Sequence, residues 1–506
     1  MINSPNECIM LFCVIITTGL CNCWYSQRCI DTFPGTLPPC LTILRKTGIM
    51  LIPKNIRLKS VYLIPLSFLI AILIGTLLLS LPVSSAEGKW TSFTDALFSA
   101  TTSMCVTGLV VKETFRYWSL FGQVVILILI QIGGIGVLTA IATLMLITRK
   151  HFTLSDRLML RDALNLDSIS GLLGFLTRII CGTLAIEAVG AVLYMFAFVP
   201  RYGPARGIWV SVFNAVSAFC NAGMDILGPD SLMSYRQNPL VLIVTMMLIV
   251  SGGLGYVVWM DIRLKITIGH KRGYSPGQIC RRFSEHTKLV MSLTGLFLFL
   301  GTVIIFFAEY KNPQTLGGMS LPYKLLNSLF ESVTLRTAGF ASFSQSGLTD
   351  VSCLSSYLLM FIGGSPIGTA GGVKTTTFYL AVINVASYIT SNKKTYAFRR
   401  SVSAEQMKKA AVIIEVSLAT VMFLLFLLLA TNPVNITDGM FEIVSACGTV
   451  GLTRDLTPTL NTAGKLIVTT GMYLGRIGPI SMACFLAAPP KDEPAGHYAE
   501  GDFYIG

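Results

Sequence analysis

Charge is scarce in this chain. Asp, Glu, Lys and Arg make up 12% of its 506 residues, whereas 53% are hydrophobic and the mean hydropathy is +0.68. Soluble domains carry about 25% charged residues. The scarcity excludes a soluble enzyme. The net charge of +13 is then explained by basic loops on one side of a membrane. No nucleic-acid partner is expected, because such binding needs a basic patch on one face of a domain.

Residues for catalysis or metal binding are equally scarce. The four histidines are all assigned to loops or to the tail: His151, His270, His286 and His497. No metal-ligand cluster or nucleophile–base pair is therefore predicted at membrane depth, which excludes an intramembrane enzyme. Glycine-rich phrases such as Gly252–Gly255 lie inside apolar runs with no strand before them, so they do not indicate a dinucleotide site. No cofactor is expected in this chain.

Long hydrophobic runs are abundant. A helix that spans a bilayer needs about 20 apolar residues, and eight runs of this kind are bounded mostly by charges. They cover residues 61–82, 119–148, 171–199, 238–260, 287–308, 352–390, 411–431 and 464–488. The sequence therefore predicts an all-α integral membrane protein with eight transmembrane helices.

A short phrase that ends in glycine occurs four times at nearly equal intervals. Its glycines are Gly108, Gly223, Gly339 and Gly451, spaced 115, 116 and 112 residues apart, and each phrase lies between two apolar runs. One copy would indicate tight helix packing, but a fixed period indicates repeated copies of one unit. We predict four pseudo-symmetric helix–pore-helix–helix repeats around a single ion pore.

The segment before each phrase is too short to cross a bilayer and is predicted to be a re-entrant pore helix. Irregular backbone at membrane depth survives only where it lines a wet cavity or is buried in protein. Rings of backbone carbonyls replace the hydration shell of potassium, and glycine permits the close approach that this requires. The predicted potassium filter is Val106, Thr107, Gly108, Asn221, Ala222, Gly223, Thr337, Ala338, Gly339, Thr449, Val450 and Gly451.

Four polar residues of these phrases are expected to add side chains near the same ring. They are Thr107, Asn221, Thr337 and Thr449.

Lysine and arginine are concentrated in connections that do not flank the glycine phrases. The connection 261–288 holds seven of them and 391–409 holds six, with others at 149–161 and 54–59. Cytoplasmic loops carry such an excess. These segments are therefore predicted to be cytoplasmic, and the filters to face outward, in a multi-pass protein of the plasma membrane.

Residues 1–49 do not match the rest of the chain. Six of the 13 cysteines lie in the first 40 residues, and no Lys or Arg precedes the short apolar stretch Ile9–Gly19, so it is a poor signal peptide. We interpret this segment as an extension outside the core, or as a start assigned too early, with Met50 opening the protein. A paired-cysteine or metal module is the alternative.

Several phrases match those of a known transporter family. They are Cys220–Gly223, Arg336–Phe340, Gln131–Gly136, Gly363–Lys374 and Gly475–Pro479. Through them the chain, from about residue 55 onward, resembles the membrane subunit of the Trk/Ktr/HKT superfamily of potassium transporters, and it is most similar to the bacterial Ktr type. The resemblance implies four pseudo-symmetric units around one pore, without the two additional spans of Trk-type subunits. Members that prefer sodium often carry serine in the first filter, so Gly108 implies potassium selectivity.

The sixth apolar run is interrupted by five glycines and a proline within Gly363–Gly372. Glycine costs a helix about 1 kcal/mol and proline about 3 kcal/mol, whereas a simple kink needs a single breaker. The resemblance implies an intramembrane loop below the filter that gates the pore. Its predicted residues are Gly363, Gly364, Ser365, Gly368, Gly371, Gly372 and Lys374, the last marking the restart of the helix.

Three charged residues lie within or beside the apolar runs. Arg476 is in the last run, where a charge is costly and functional by default, and the resemblance places it near the gating loop as a gate partner whose charge repels cations. Glu187 is interpreted as a structural hydrogen bonder. Arg336, directly before the third filter segment, is expected to brace its pore helix.

The predicted organisation follows from the repeats. It comprises an extension (1–49), repeats 1 (50–150), 2 (151–262), 3 with a broken second helix and gating loop (263–392) and 4 (393–490), and a C-terminal tail (491–506). The predicted function is channel-like potassium uptake across the plasma membrane. The alternative is a potassium symporter coupled to sodium or protons, which inverted repeats would favour, whereas these repeats are parallel. Potassium is the substrate and sodium a candidate activator.

The short basic links and the lack of a regulatory domain predict a separate cytosolic regulator. The resemblance implies a nucleotide-binding ring of the RCK type and a homodimeric membrane subunit. The apolar tail Tyr498–Gly506 is expected at the dimer contact. Anionic membrane lipid is the alternative partner of the basic links, at about 1 kcal/mol per Lys or Arg.

Overall fold

Helices form nearly all the regular structure in the computed structural model. It describes residues 60–136, 172–228, 230–390, 395–397 and 400–478, with positions 139, 140, 142 and 145. The helices are α1 Ser60–Ser80, α2 Phe93–Met104, α3 Thr114–Tyr117, α4 Leu120–Ile135, α5 Leu172–Tyr202, α6 Pro204–Cys220, α7 Pro239–Gly253, α8 Tyr256–Lys271, α9 Pro276–Arg281, α10 Glu285–Glu309, α11 Leu321–Thr334, α12 Asp350–Phe361, α13 Thr375–Ile389, α14 Ala404–Thr431, α15 Ile436–Gly448 and α16 Thr462–Ile477. An antiparallel hairpin pairs β1 Tyr396–Ala397 with β2 Arg400–Ser401.

Three described helices are long and apolar enough to cross a membrane: α5, α10 and α14. A fourth crossing is formed if α7 and α8, which meet at 97°, count as one span. α4, α12, α13 and most of α1 are apolar but shorter. The prediction of a helical protein with several apolar spans is confirmed, and the number of eight spans stays a prediction.

The helices recur in the same order four times along the described residues. A first helix (α1, α5, α10 or α14) is followed by a short helix (α2, α6, α11 or α15) and then by a third helix of 12 to 16 residues (α4, α7, α12 or α16). The short helix packs on the first helix of its own group. The third helix packs on the short helix of the next group, and α16 of the last group packs on α2 of the first. The contacts therefore close into a ring.

The short helices form the interior of this ring. Each carries a phenylalanine at the same position, and Phe98, Phe213, Phe330 and Phe441 are all fully buried. The first helices instead present large apolar side chains outward, such as Phe307, which is 73% exposed, and Phe426, which is 69% exposed. Soluble proteins rarely expose extended apolar patches of this kind, so the outer surface suits a lipid environment.

The third helices end early at a glycine. Gly136 after α4, Gly255 between α7 and α8, and Gly478 after α16 have φ of +92°, +89° and +89°. A side chain disfavours this backbone region, whereas glycine adopts it freely. The predicted span over 238–260 is bent by 97° between α7 and α8, because Gly255 turns the chain there. A break was expected only in the sixth run, whereas α4, α7 and α16 also end within predicted runs, next to these glycines.

Two histidines are placed differently from the prediction, and several other predictions concern residues outside those that the structure describes. His270 lies in α8 and His286 in α10, so they are helical and not in loops, because both helices extend beyond the apolar runs. The expectations for residues 1–49, for the link 149–161 and for the tail 491–506 concern segments outside those that the structure describes.

Candidate functional site

The four glycine phrases meet at a closed ring of backbone. A Cβ atom built on each glycine would overlap a carbonyl oxygen of the next phrase. That oxygen belongs to the residue just before the next glycine, and its distance from the built Cβ is 2.5 Å for both Gly223 and Gly339. The pairs, in order, are Gly108 with Ala222, Gly223 with Ala338, Gly339 with Val450, and Gly451 with Thr107. No side chain fits at any of the four positions, so the ring depends on glycine.

The N–H groups of the phrases point away from the ring. The residue before each glycine donates to a carbonyl in the last turn of its own short helix. The bonds run from Thr107 to Thr102 (2.8 Å), Ala222 to Ser217 (2.8 Å), Ala338 to Thr334 (2.9 Å) and Val450 to Ser445 (2.8 Å). Since each residue offers one donor and one acceptor on its main chain, this leaves the carbonyl oxygens available to an ion on the ring axis.

The first residue of each phrase has a left-handed backbone. The φ values are +56° at Val106, +61° at Asn221, +66° at Thr337 and +50° at Thr449. Non-glycine residues rarely adopt such angles, and strain of this kind clusters at functional sites. The equivalent of Asn221 in the first phrase is therefore Val106 and not Thr107, which corrects the grouping of polar side chains expected from the sequence.

Several buried hydroxyls of the phrases are unsatisfied. The Oγ1 atoms of Thr107, Thr337 and Thr449 have no hydrogen-bond partner among the described residues, and these threonines are at most 1% exposed. Buried polar groups normally find partners.

The electrostatics of the ring favour a cation. α2, α6, α11 and α15 each end directly before a phrase. A helix C-terminus carries about half a negative charge, so four of these ends converge on the ring. The residue types required here carry carbonyls and hydroxyls but no formal charge, which suits weak and reversible binding of a monovalent ion.

The predicted gating loop lies against the C-terminal ends of α6 and α7. Ser365 N–H donates to Gly253 O (3.0 Å) and Thr369 N–H to Gly252 O (3.2 Å), which ties the loop to the end of α7. The Thr369 hydroxyl donates to Phe219 O (3.1 Å) at the end of α6. A Cβ on Gly371 would overlap the Thr449 hydroxyl. The loop therefore contacts two of the four helix ends that carry the ring.

Three cationic side chains hold the loop through its carbonyls. Arg476 donates from Nη1 to Thr369 O (2.5 Å) and from Nη2 to Gly133 O. Lys374 Nζ donates to Ala370 O (2.6 Å), and Arg336 Nη2 donates to Gly363 O (3.0 Å). In the part of the chain that the structure describes, none of the three has a carboxylate partner. Arg336 thus contacts the loop, and the expectation that it braces its own pore helix is wrong.

Charged contacts on the opposite side of the ring were missed by the sequence reasoning. Lys465 Nζ lies 2.7 Å from the Asp95 carboxylate, which joins α16 to α2. Arg454 Nε lies 2.7 Å from Asp438, and its Nη1 donates to Gln345 O (2.9 Å). The only indication of these two ion pairs in the sequence is that their charged residues lie in or near the short helices. Glu187 accepts from Gln131 Nε2 (3.3 Å), in line with a structural hydrogen bond.

Comparisons with known proteins show the family and the fold. A family model described as "TrkH: Cation transport protein" matches residues 54–494. The chain is 36% identical over 455 residues to the potassium/sodium uptake protein NtpJ of Enterococcus hirae, covering 89% of this chain and 98% of that protein. It is 37% identical over 454 residues to the Ktr system potassium uptake protein B of Bacillus subtilis, covering 90% and 98%. The crystal structure of the potassium transporter TrkH from Vibrio parahaemolyticus shares its fold, with a TM-score of 0.66 at 14% identity over 86% of this chain and 87% of that one.

The ring predicts a strong sensitivity to a single methyl group. Gly339→Ala places a Cβ 2.5 Å from Val450 O in a backbone with φ of +83°, so the thermal unfolding midpoint of the purified protein is expected to fall, with a backbone strain of about 1–2 kcal/mol as the minimum. Gly228→Ala is the control, since its Cβ meets no atom within 4 Å. Equal midpoints for the two variants would contradict the close approach at Gly339.

Proposed function

The chain belongs to the TrkH family of cation transport proteins, and on that premise we propose that it takes up potassium through the ring of four glycine phrases. The observation that supports this most directly is the cyclic contact of each glycine with the carbonyl of the next phrase. Four carbonyls on one axis replace water around a potassium ion. In this proposal eight spans surround the pore, the ring faces outward, and the basic links lie in the cytoplasm of a plasma-membrane protein.

A dehydrated ion at the ring gains from two further features. The ends of α2, α6, α11 and α15 present their negative dipole ends to it, and the unpartnered hydroxyls of Thr107, Thr337 and Thr449 add oxygen ligands. None of these interactions with the ion is as strong as its direct pairing with a carboxylate would be. Binding is therefore weak enough for the ion to leave, which conduction requires.

Transport is channel-like in this proposal and not cation-coupled. Alternating-access symporters are commonly built from inverted repeats, whereas the four helix groups here follow one order and close head to tail. One relative is named for both potassium and sodium uptake, so the two ions belong in the same assay, and sodium remains a candidate activator.

The loop Gly363–Lys374 is the gate in this proposal. It contacts the inner ends of α6 and α15, and Arg476 fixes it through Thr369 O. A guanidinium held just below the ring opposes cations there by Coulomb repulsion. Moving the loop and Arg476 together would remove both the steric and the electrostatic barrier.

Selectivity tests the ring. Gly108→Ser is expected to lower the preference for potassium over sodium by roughly tenfold, equivalent to about 1.4 kcal/mol, because a side chain displaces the Ala222 carbonyl that Gly108 contacts. Rubidium and sodium uptake are compared in cells that lack their own potassium uptake. Gly228→Ser, in open space, serves as the control, and an unchanged preference at Gly108→Ser would remove the first phrase from the filter.

Flux tests the gate. Deletion of Ile367–Gly371 removes the contacts with α6, α15 and Arg476 and is expected to raise rubidium flux several-fold while the preference over sodium is kept, because the ring itself is untouched. Surface expression is measured in parallel. An inserted, folded variant with unchanged or lower flux would reduce the loop to a structural kink.

Regulation by a cytosolic partner completes the proposal. The basic link after α8 is exposed and ordered: Arg282 lies 4.1 Å above the Tyr274 ring, and hydrogen bonding to Arg272 lowers the pKa of that tyrosine. Such a surface fits a separate acidic docking face. The partner in this proposal is a nucleotide-binding ring of the RCK type, and the membrane subunit is a homodimer.

Charge reversal tests this docking. Reversing Lys271, Arg272, Arg281 and Arg282 is expected to abolish co-purification with the cytosolic regulator, whereas reversing Lys89, Arg116 and Lys311 on the opposite side leaves it intact. Binding to vesicles of anionic lipid is measured with the same two variants. A regulator complex that survives the first reversal, with only lipid binding lost, would assign this link to the membrane surface.

A further inference from the structure

The residue that precedes each glycine phrase differs in one repeat only. Three of these positions hold small residues, Cys105, Cys220 and Gly448, whereas the third holds Arg336. A large cation at a position where its counterparts are small breaks the four-fold pattern. The same repeat carries the loop Gly363–Lys374, which the Arg336 side chain contacts.

The Arg336 side chain bridges the filter and this loop. Its backbone leads directly into Thr337, while its Nη2 donates to Gly363 O at 3.0 Å, where the loop begins. The guanidinium lies 5.6 Å from the Phe297 ring centre, and the residue is 7% exposed. One side chain therefore joins two parts of the site that are 27 residues apart in sequence.

The guanidinium has few other places to bind. Its Nε has no hydrogen-bond partner among the described residues. It borders a small cavity whose other lining residues are apolar or glycine, apart from Thr294. No carboxylate pairs with it in the described ranges. A buried charge without compensation is costly. The hydrogen bond to the Gly363 carbonyl is the main polar contact that stabilises this guanidinium, and losing it would be unfavourable.

Resting on the proposed function, we propose that Arg336 is a positioning residue that couples ion occupancy of the filter to the gating loop. An ion on the ring draws the carbonyls of the third phrase toward the axis and fixes Thr337. The adjacent Arg336 then holds Gly363 in one place. When the ring loses its ion, the third phrase relaxes, the bond to Gly363 weakens, and the loop position changes. Loop mobility therefore responds to potassium through this side chain.

The test follows the loop and the transport separately. Pro366→Cys places a thiol on the loop, and its labelling rate is measured in purified protein against potassium concentration, with the unsubstituted chain as the baseline for native cysteines. With Arg336 present, the rate is expected to change with potassium. Arg336→Met, which keeps the apolar stem over Phe297 but no donor, is expected to give fast labelling that ignores potassium.

Arg336→Lys keeps the charge with a single donor group. It is expected to retain a potassium response whose half-maximal concentration shifts by about tenfold, and it covers the case in which Arg336→Met does not fold. A purely structural role would lower the thermal midpoint and leave the potassium dependence of labelling unchanged in both variants, which would overturn the proposal. A chain with Arg336 that carries rubidium but whose labelling ignores potassium would overturn the coupling alone, whereas no rubidium transport at all would overturn the proposed function itself.

Discussion

The architecture depends on bringing four backbones within contact of one another at a single axis. Carbonyl oxygens reach an ion there only if nothing larger than a hydrogen stands on the neighbouring Cα atoms. The requirement spreads outward from the ring. Gly133, Gly252 and Gly475 on the third helices each face a carbonyl at the end of a short helix, where a Cβ would overlap it. Close backbone contact therefore requires glycine both in the ring and in the helices that pack around it.

The four repeats match one another at the ring of glycine phrases and differ at the two arginines that contact the loop Gly363–Lys374. The position of Arg476 corresponds to Gly134 and Gly253 in the first two repeats, in the shared pattern that ends in Ile-Gly or Leu-Gly. Arg336 likewise replaces two cysteines and a glycine. Both arginines donate to carbonyls of the same loop, Gly363–Lys374. Since a membrane-embedded cation is expensive, two such exceptions aimed at one segment support a role for that segment.

Much of the fold could be predicted because the same pattern of apolar runs and a glycine phrase occurs four times in the sequence. The spacing of Gly108, Gly223, Gly339 and Gly451 predicted the convergence, and hydropathy predicted the helical class. The early ends of the third helices could not be predicted this way, because the glycines at 136, 255 and 478 lie in apolar runs that read as continuous spans. A close neighbour is present at Gly255, where a Cβ would lie 2.5 Å from Pro366 O. The target of Arg336 was missed for a similar reason, since local sequence cannot show which distant carbonyl a long side chain reaches.

The head-to-tail closure of the four helix groups has a consequence for how the protein is made. Since α16 packs on α2, and Lys465 reaches back across the sequence to Asp95, the earliest and latest parts of the nascent chain are neighbours in the finished molecule. Contacts so far apart in sequence form slowly and late. Until the last group has been synthesised, α2 lacks both its contact with α16 and the ion pair of Asp95 with Lys465. The ring of helix contacts therefore closes only when the last group has been made.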